Sequence, residues 1–211
     1  MRPDRSPVKR RGWPRLVAAL LAASCGPTDP SPSPSPSNAC TGAPSAYARS
    51  VIDWWVPRCS LERNIFNDPQ TALGAPDADG FGPDGYTGFI SLGFGGRVTI
   101  DLGGCLSDRP GADLRVYQAV SGEPLSVYVS TSPAGPFTLV EARKGCGERV
   151  DRVKSSCDFD LATAGVTQAR YVRVEDGELF PCPGGTRSEG ADLDAVQALG
   201  VATALDEPTR F

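Results

Sequence analysis

The 211-residue chain contains no histidine, and this decides which chemistries remain open to it. Ser-His-Asp and Cys-His catalysis need an imidazole to move a proton, and so do most general-base schemes near neutral pH. Zinc loses its imidazole ligands as well. The seven cysteines stand at 25, 40, 59, 105, 146, 157 and 182, and no two have the Cys-x-x-Cys spacing of common zinc sites. No zinc is therefore expected. Gly93-Phe94-Gly95-Gly96 falls between strand-like runs and reads as a turn, not as a phosphate loop, so no nucleotide is expected either. Paired carboxylates could hydrolyse a glycoside, but nothing singles out two that face one cleft. The chain reads as non-catalytic, with a carboxylate-based glycosidase as the alternative.

The elements that position these side chains begin after an export signal. Arg2, Arg5, Lys9, Arg10, Arg11 and Arg15 precede the apolar run from Leu16 to Ala23. That run is far shorter than the roughly 20 residues of a membrane-spanning helix and has the form of a cleavable signal. Leu21-Ala22-Ala23-Ser24-Cys25-Gly26 resembles the lipobox of bacterial lipoproteins. The resemblance implies a signal peptide over 1–24 and a lipid on Cys25. An ordinary secretory signal is the other reading. Residues 26–38 alternate Pro and Ser, which fixes φ and removes amide donors. They form an extended tether that reaches roughly 40 Å at about 3.1 Å per residue.

If Cys25 carries a lipid, six cysteines remain, an even set for an oxidising compartment. Separation along the chain favours Cys40–Cys59 and Cys146–Cys157, leaving Cys105–Cys182. Loss of the signal removes six of the 21 basic side chains and one of the 25 acidic ones, which takes the net charge from −4 to −9. A phosphate-tracking surface needs clustered cations, so no nucleic acid is expected as partner.

Residues 39–204 have the size of one domain, with a tail over 205–211. Short apolar or alternating runs separated by Gly, Pro and Asp point to strands. The candidates are Phe89–Leu92, Arg97–Leu102, Asp113–Gln118, Leu125–Thr131, Phe137–Ala142, Arg170–Glu175 and Leu193–Leu199. Asp158–Thr163 reads as a further strand or a short turn, and Ser45–Trp55 as one short helix.

Five segments, in order, carry a family resemblance: Asn67–Leu73, Arg97–Gly103 ending in Asp-Leu-Gly, Leu125–Val140, Ala169–Val174 (Ala-Arg-Tyr-Val-Arg-Val) and Asp192–Val196. Together they resemble the discoidin-like, galactose-binding-like domains of bacterial cell-surface proteins. The resemblance implies an all-β antiparallel sandwich of jelly-roll type, here disulfide-stapled. It also implies a structural calcium held by Asp113, Asp192 and Asp194, with Glu175 able to complete the set. Asp192 and Asp194 are two apart, so a regular strand would present both on one face. The acidic loop Asp77–Gly85 lacks the Gly and Glu positions of an EF-hand.

Sugar binding needs exposed aromatic faces and polar groups. Trp54 and Trp55 are adjacent, so one faces in and the other out in an extended stretch. Tyr86 and Phe89 lie in the loop region where relatives of this fold bind ligands. Tyr117, Tyr128, Phe137, Phe159 and Tyr171 are expected mostly in the core, and Arg170 and Arg173 are expected to pair with acids at the surface. The expected function is a membrane-tethered, non-catalytic module of the cell envelope. It would sit at the outer membrane or cell surface and recognise a polysaccharide or an envelope protein through loops at one end. A passive envelope protein without a small ligand is a further alternative.

Overall fold

The computed structural model describes residues 40–57, 66–82, 85–149, 154–177 and 190–201. Cys25, Cys59 and Cys182 lie outside these residues, as do the signal and the tether. The chain divides between Ser35 and Pro36, and everything described belongs to the second unit. Among the described residues no helix is long and apolar enough to cross a membrane.

Among the described residues twelve strands build the domain: β1 (Ser50–Trp55), β2 (Asp79–Gly82), β3 (Gly85–Thr87), β4 (Ile90–Ser91), β5 (Arg97–Ser107), β6 (Leu114–Gln118), β7 (Leu125–Ser130), β8 (Thr138–Arg143), β9 (Glu148–Arg149), β10 (Ser155–Phe159), β11 (Gln168–Asp176) and β12 (Asp192–Ala198). They form one sheet in the order β1-β5-β11-β7-β8, a second in the order β4-β12-β6-β10-β9, and the small β2-β3 pair. The pairings within both large sheets are antiparallel. The chain passes from one sheet to the other at β4–β5, β5–β6, β6–β7, β8–β9, β10–β11 and β11–β12. This is the expected antiparallel β-sandwich with jelly-roll crossings.

Alternation makes the core. Val98, Ile100 and Leu102 of β5, Val127 and Val129 of β7, and Val172 and Val174 of β11 line the inner face of the first sheet. Leu114, Val116, Phe159, Leu193 and Val196 meet them from the second. Each such side chain, fully buried, contributes about 1.5–3 kcal/mol from apolar burial alone.

Residues 45–49 lace the side of the sandwich. Ser45 and Arg49 donate to Leu102 and Asp101 of β5, and Ala48 donates to Val196 of β12. Cys40 is bonded to Cys105 across 65 residues. The disulfide pins this segment where β5 swings outward, and there a Cβ on Gly104 would lie 2.0 Å from the Ala43 carbonyl oxygen. The Cys40–Cys59 and Cys105–Cys182 pairings are thereby corrected. Sequence separation ranks pairings by loop entropy, and here the lacing of residues 45–49 along β5 brings the distant Cys105 to Cys40. Cys146–Cys157 is formed as expected.

The expected helix over Ser45–Trp55 is also corrected. Val51, Ile52, Trp54 and Trp55 suit a strand, and the exposed edge of β5 supplies the partner. The Asp158–Thr163 segment is both of the things it resembled. β10 ends at Phe159, and a single 3-10 turn follows over Leu161–Ala164, capped by the Asp160 side chain.

Candidate functional site

The termini of the described domain share one end of the sandwich. There Cys40 meets Cys105, Asp108 donates to Thr167, and Leu199 donates to Asp113. Trp55 and the start of β5 lie at the other end, where Trp55 and Glu175 flank Arg97. Counted along β11 from Glu175 to Ala169, the two ends are roughly 20 Å apart.

The predicted carboxylate set divides between these ends. Asp113 belongs to the terminal end. Its Oδ1 accepts from the Arg109 amide at 3.0 Å and its Oδ2 from the Leu161 amide at 3.0 Å, so it ties two loops to the start of β6. Burial raises its pKa, the two amides lower it, and Asp108 and Asp160 raise it further. Asp108, Asp113 and Asp160 bring carboxylate oxygens within 4.8 Å of one another. Both oxygens of Asp113 are already occupied by amides, and Asp160 accepts from the Ala162 amide. Asp113 and Asp160 thus serve as turn caps, whereas Asp108 Oδ1 is buried without a hydrogen-bond partner among the described residues.

Asp194 belongs to the opposite end, roughly 16 Å along β12 from Leu199. Its Oδ1 accepts from the amides of Asp77 at 2.9 Å and Ala78 at 3.1 Å, while its Oδ2 is buried without a hydrogen-bond partner. Burial pushes its pKa up; the two amides and Lys154 pull it down, and Asp77 raises it. Asp192 is fully buried beside it in sequence, and its amide donates to Glu123 at 2.8 Å. The pairing of β12 with β6 shifts register at Asp194. The strict alternation expected to bring Asp192 and Asp194 to one face therefore does not run through Asp194. Glu175 stands on the outer face of the other sheet, 3.9 Å from Arg173. The four predicted ligands do not form one ion site. Of the four, Asp194 has a buried oxygen without a hydrogen-bond partner among the described residues; at the terminal end Asp108 Oδ1, which the sequence reading did not single out, is buried and unpartnered as well.

The predicted aromatic residues divide as well. Trp54 and Trp55 are 37% and 49% exposed. Trp54 lies opposite the core-facing Val98 and Trp55 opposite the outward Arg97, so they do point to opposite faces. Both remain accessible because β1 is an edge strand. Phe89 is buried, stacked on Phe66 at 4.5 Å, and packs with Ala78 and Ala119 into a small second core under this end. It supports the Asp77–Ala78 loop and does not face a ligand. Tyr86 stands in β3, and its side chain lies outside the described placements.

The sequence reading missed the outer face of the five-stranded sheet. Tyr128, Phe137 and Tyr171 were expected mostly in the core, but all three belong to this face. Arg97 lies 5.8 Å over Trp55, Arg170 5.3 Å over Tyr171, and Arg173 3.9 Å over Phe137. Arg170 also pairs bidentately with Asp101 at 2.8 and 2.9 Å, and Arg173 donates to Thr99 at 3.0 Å. The Arg170 hydrogen bond holds the Asp101 carboxyl below its ordinary value despite burial. Asp-Leu-Gly and Ala-Arg-Tyr, two of the motifs behind the family resemblance, thus meet as one ion pair. Strand alternation, read on β11, carried the signal for this face.

Comparison with solved structures gives low-identity likenesses. The CBM32 of AlyQ in complex with 4,5-unsaturated mannuronic acid is 15% identical, with a TM-score of 0.36, over 77% of this chain and 99% of that one. CBM32-3 from a family 31 glycoside hydrolase of Clostridium perfringens is 12% identical, with a TM-score of 0.36, over 72% of this chain and 89% of that one. A Clostridium perfringens CBM32 in complex with GlcNAc-alpha-1,4-galactose is 15% identical, with a TM-score of 0.30, over 50% of this chain and 66% of that one. No family model and no curated protein matches the chain.

Proposed function

We propose that this domain is a non-catalytic carbohydrate-binding module, held at a membrane surface by a lipid on Cys25 and the Pro/Ser tether. The observation that carries the reading is the exposed Trp54–Trp55 pair on an edge strand at the end away from Cys40. Indole rings stack on sugar C–H faces, and a strand bonded into a sheet holds them at low entropic cost. The Cys40–Cys105 and Cys146–Cys157 disulfides suit an extracytoplasmic location. Calcium is the cation we assign to this end, with Asp194 as its carboxylate.

A glycan array probed with the Cys25→Ser chain, with and without calcium, tests the reading. Retention of a glycan that is lost in Trp55→Ala, with unchanged thermal unfolding, supports it. No retained glycan in either condition overturns it and leaves an envelope protein as the ligand class.

A further inference from the structure

The five-stranded sheet has an outer face unlike the rest of the surface. Cross-strand register places Trp55, Arg97, Glu175 and Ser126 in one row, and Asp53, Thr99, Arg173, Tyr128 and Leu139 in the next. The exposed large hydrophobic side chains among the described residues are Ile52, Trp54, Trp55 and Leu139. All four stand on β1 and β8, the two edges of this sheet. Between them the face carries Tyr128, Tyr171 and Phe137 among paired arginines and acids. Arg173 is drawn down onto Phe137 and Thr99, and Thr99 beneath it is fully buried.

We infer that this face is a glycan-docking surface for an extended, uncharged polysaccharide, which enters on Trp55, crosses the strands and leaves over Leu139. The inference rests on the carbohydrate-binding reading above and names the ligand class and its path. Charge argues for an uncharged chain. Arg97 is 3.8 Å from Asp53, Arg170 pairs with Asp101, and Arg173 lies 3.9 Å from Glu175. Three cations are matched by three carboxylates, so the face offers many donors and acceptors but no net field to draw an acidic polymer.

The pattern also argues against a protein partner. Protein interfaces concentrate apolar anchors at the centre and polar groups at the rim, whereas here the exposed large apolar groups Trp55 and Leu139 stand at the rims and Tyr171 and Phe137 between them lie under arginines. A sugar chain wants the reverse of a protein: ring platforms at intervals, with hydroxyl partners between them. Four strand spacings separate β1 from β8, about 19 Å, which is room for several sugars.

The test uses cello-, manno- and galacto-oligosaccharides from disaccharide to long oligomers, titrated calorimetrically into the Cys25→Ser chain. Affinity should rise with chain length and then level off once the chain spans the sheet, and it should change little with added salt. Leu139→Asp, at the far rim, should cost long oligomers about tenfold and leave the disaccharide unaffected, whereas Trp55→Ala should weaken both. Binding that is independent of length and untouched by Leu139→Asp overturns the inference while the carbohydrate reading stands. Salt-sensitive binding overturns the uncharged ligand. A concentration-dependent mass in sedimentation, abolished by Leu139→Asp, makes the face a contact between copies and overturns the inference. No binding to any ladder overturns both the inference and the reading beneath it.

Discussion

Asp113 and Asp194 perform the same task at opposite ends of the sandwich, and they differ by one oxygen. Each is about 1% exposed, each accepts two backbone amides, and burial raises the pKa of each. Asp113 spends one oxygen on each amide. Asp194 takes both amides on Oδ1 and leaves Oδ2 buried and unpartnered. The terminal end is closed by the saturated Asp113, the disulfide and the lacing segment, with one buried unpartnered oxygen left on the neighbouring Asp108. The opposite end keeps a carboxylate with unused capacity above a small aromatic core, next to two exposed tryptophans.

Four experiments sharpen or break that contrast. The largest effect should come from the closed end. Cys40→Ser with Cys105→Ser opens a 65-residue loop and should cost about 4 kcal/mol in urea unfolding if the chain-entropy account holds. A loss below about 1 kcal/mol would mean that the lacing hydrogen bonds alone hold the segment.

The same substitution at the two aspartates should then give different results. Asp113→Asn sets an amide donor against a backbone donor and should cost about 2–3 kcal/mol. Asp194→Asn keeps its acceptor for Asp77 and Ala78 and removes a desolvated charge. It should lie within about 1 kcal/mol of neutral without calcium and should abolish any rise in unfolding midpoint that calcium gives the parent. Equal costs at both sites would erase the distinction between the ends.

Acid provides a third, smaller test. A raised folded pKa means that the folded state takes up the proton first. Asp113 and Asp194 should therefore add stability as the pH falls from 7 through their folded values towards about 4. Asp101 has the opposite sign: its pairing with Arg170 stabilises above the unfolded pKa and is lost as the pH falls through its lowered folded value. In Asp194→Asn, the rise on acidification should shrink and the later loss should remain, as read from urea midpoints across that range.

The smallest stability change is expected at the open end. Trp55→Ala on the exposed edge should move unfolding by less than about 1 kcal/mol while removing glycan retention.

Much of the fold was legible because its signals are local. β5, β7 and β11 alternate cleanly, and one sequence period maps to one buried face. Cys146–Cys157 spans only 11 residues, so proximity in sequence sufficed. β2, β3 and β9 have 4, 3 and 2 residues, too few for a period to show. β1 was misread because its partner, β5, lies more than 40 residues away. Of the candidate site, the tryptophan pair and the individual acids were legible, but their grouping was not. Asp113 and Asp194 were grouped only through the family resemblance, which says nothing of register in this chain. Antiparallel pairing of β6 with β12 sends them to opposite ends.

The sequence by itself determined composition-level facts and periodicities: no imidazole chemistry, an even set of domain cysteines once Cys25 is set aside, strands in place of helices, and acids and aromatics available for a ligand. Tertiary structure decided everything that depends on register. The irregularity between Val51 and Asp53 in β1 shifts the strand by one residue, and that shift alone turns Trp55 and Asp53 outward beside Arg97. A side chain's identity is local, but the face it occupies is set by the strand across from it, and a one-residue slip reverses every face in the strand.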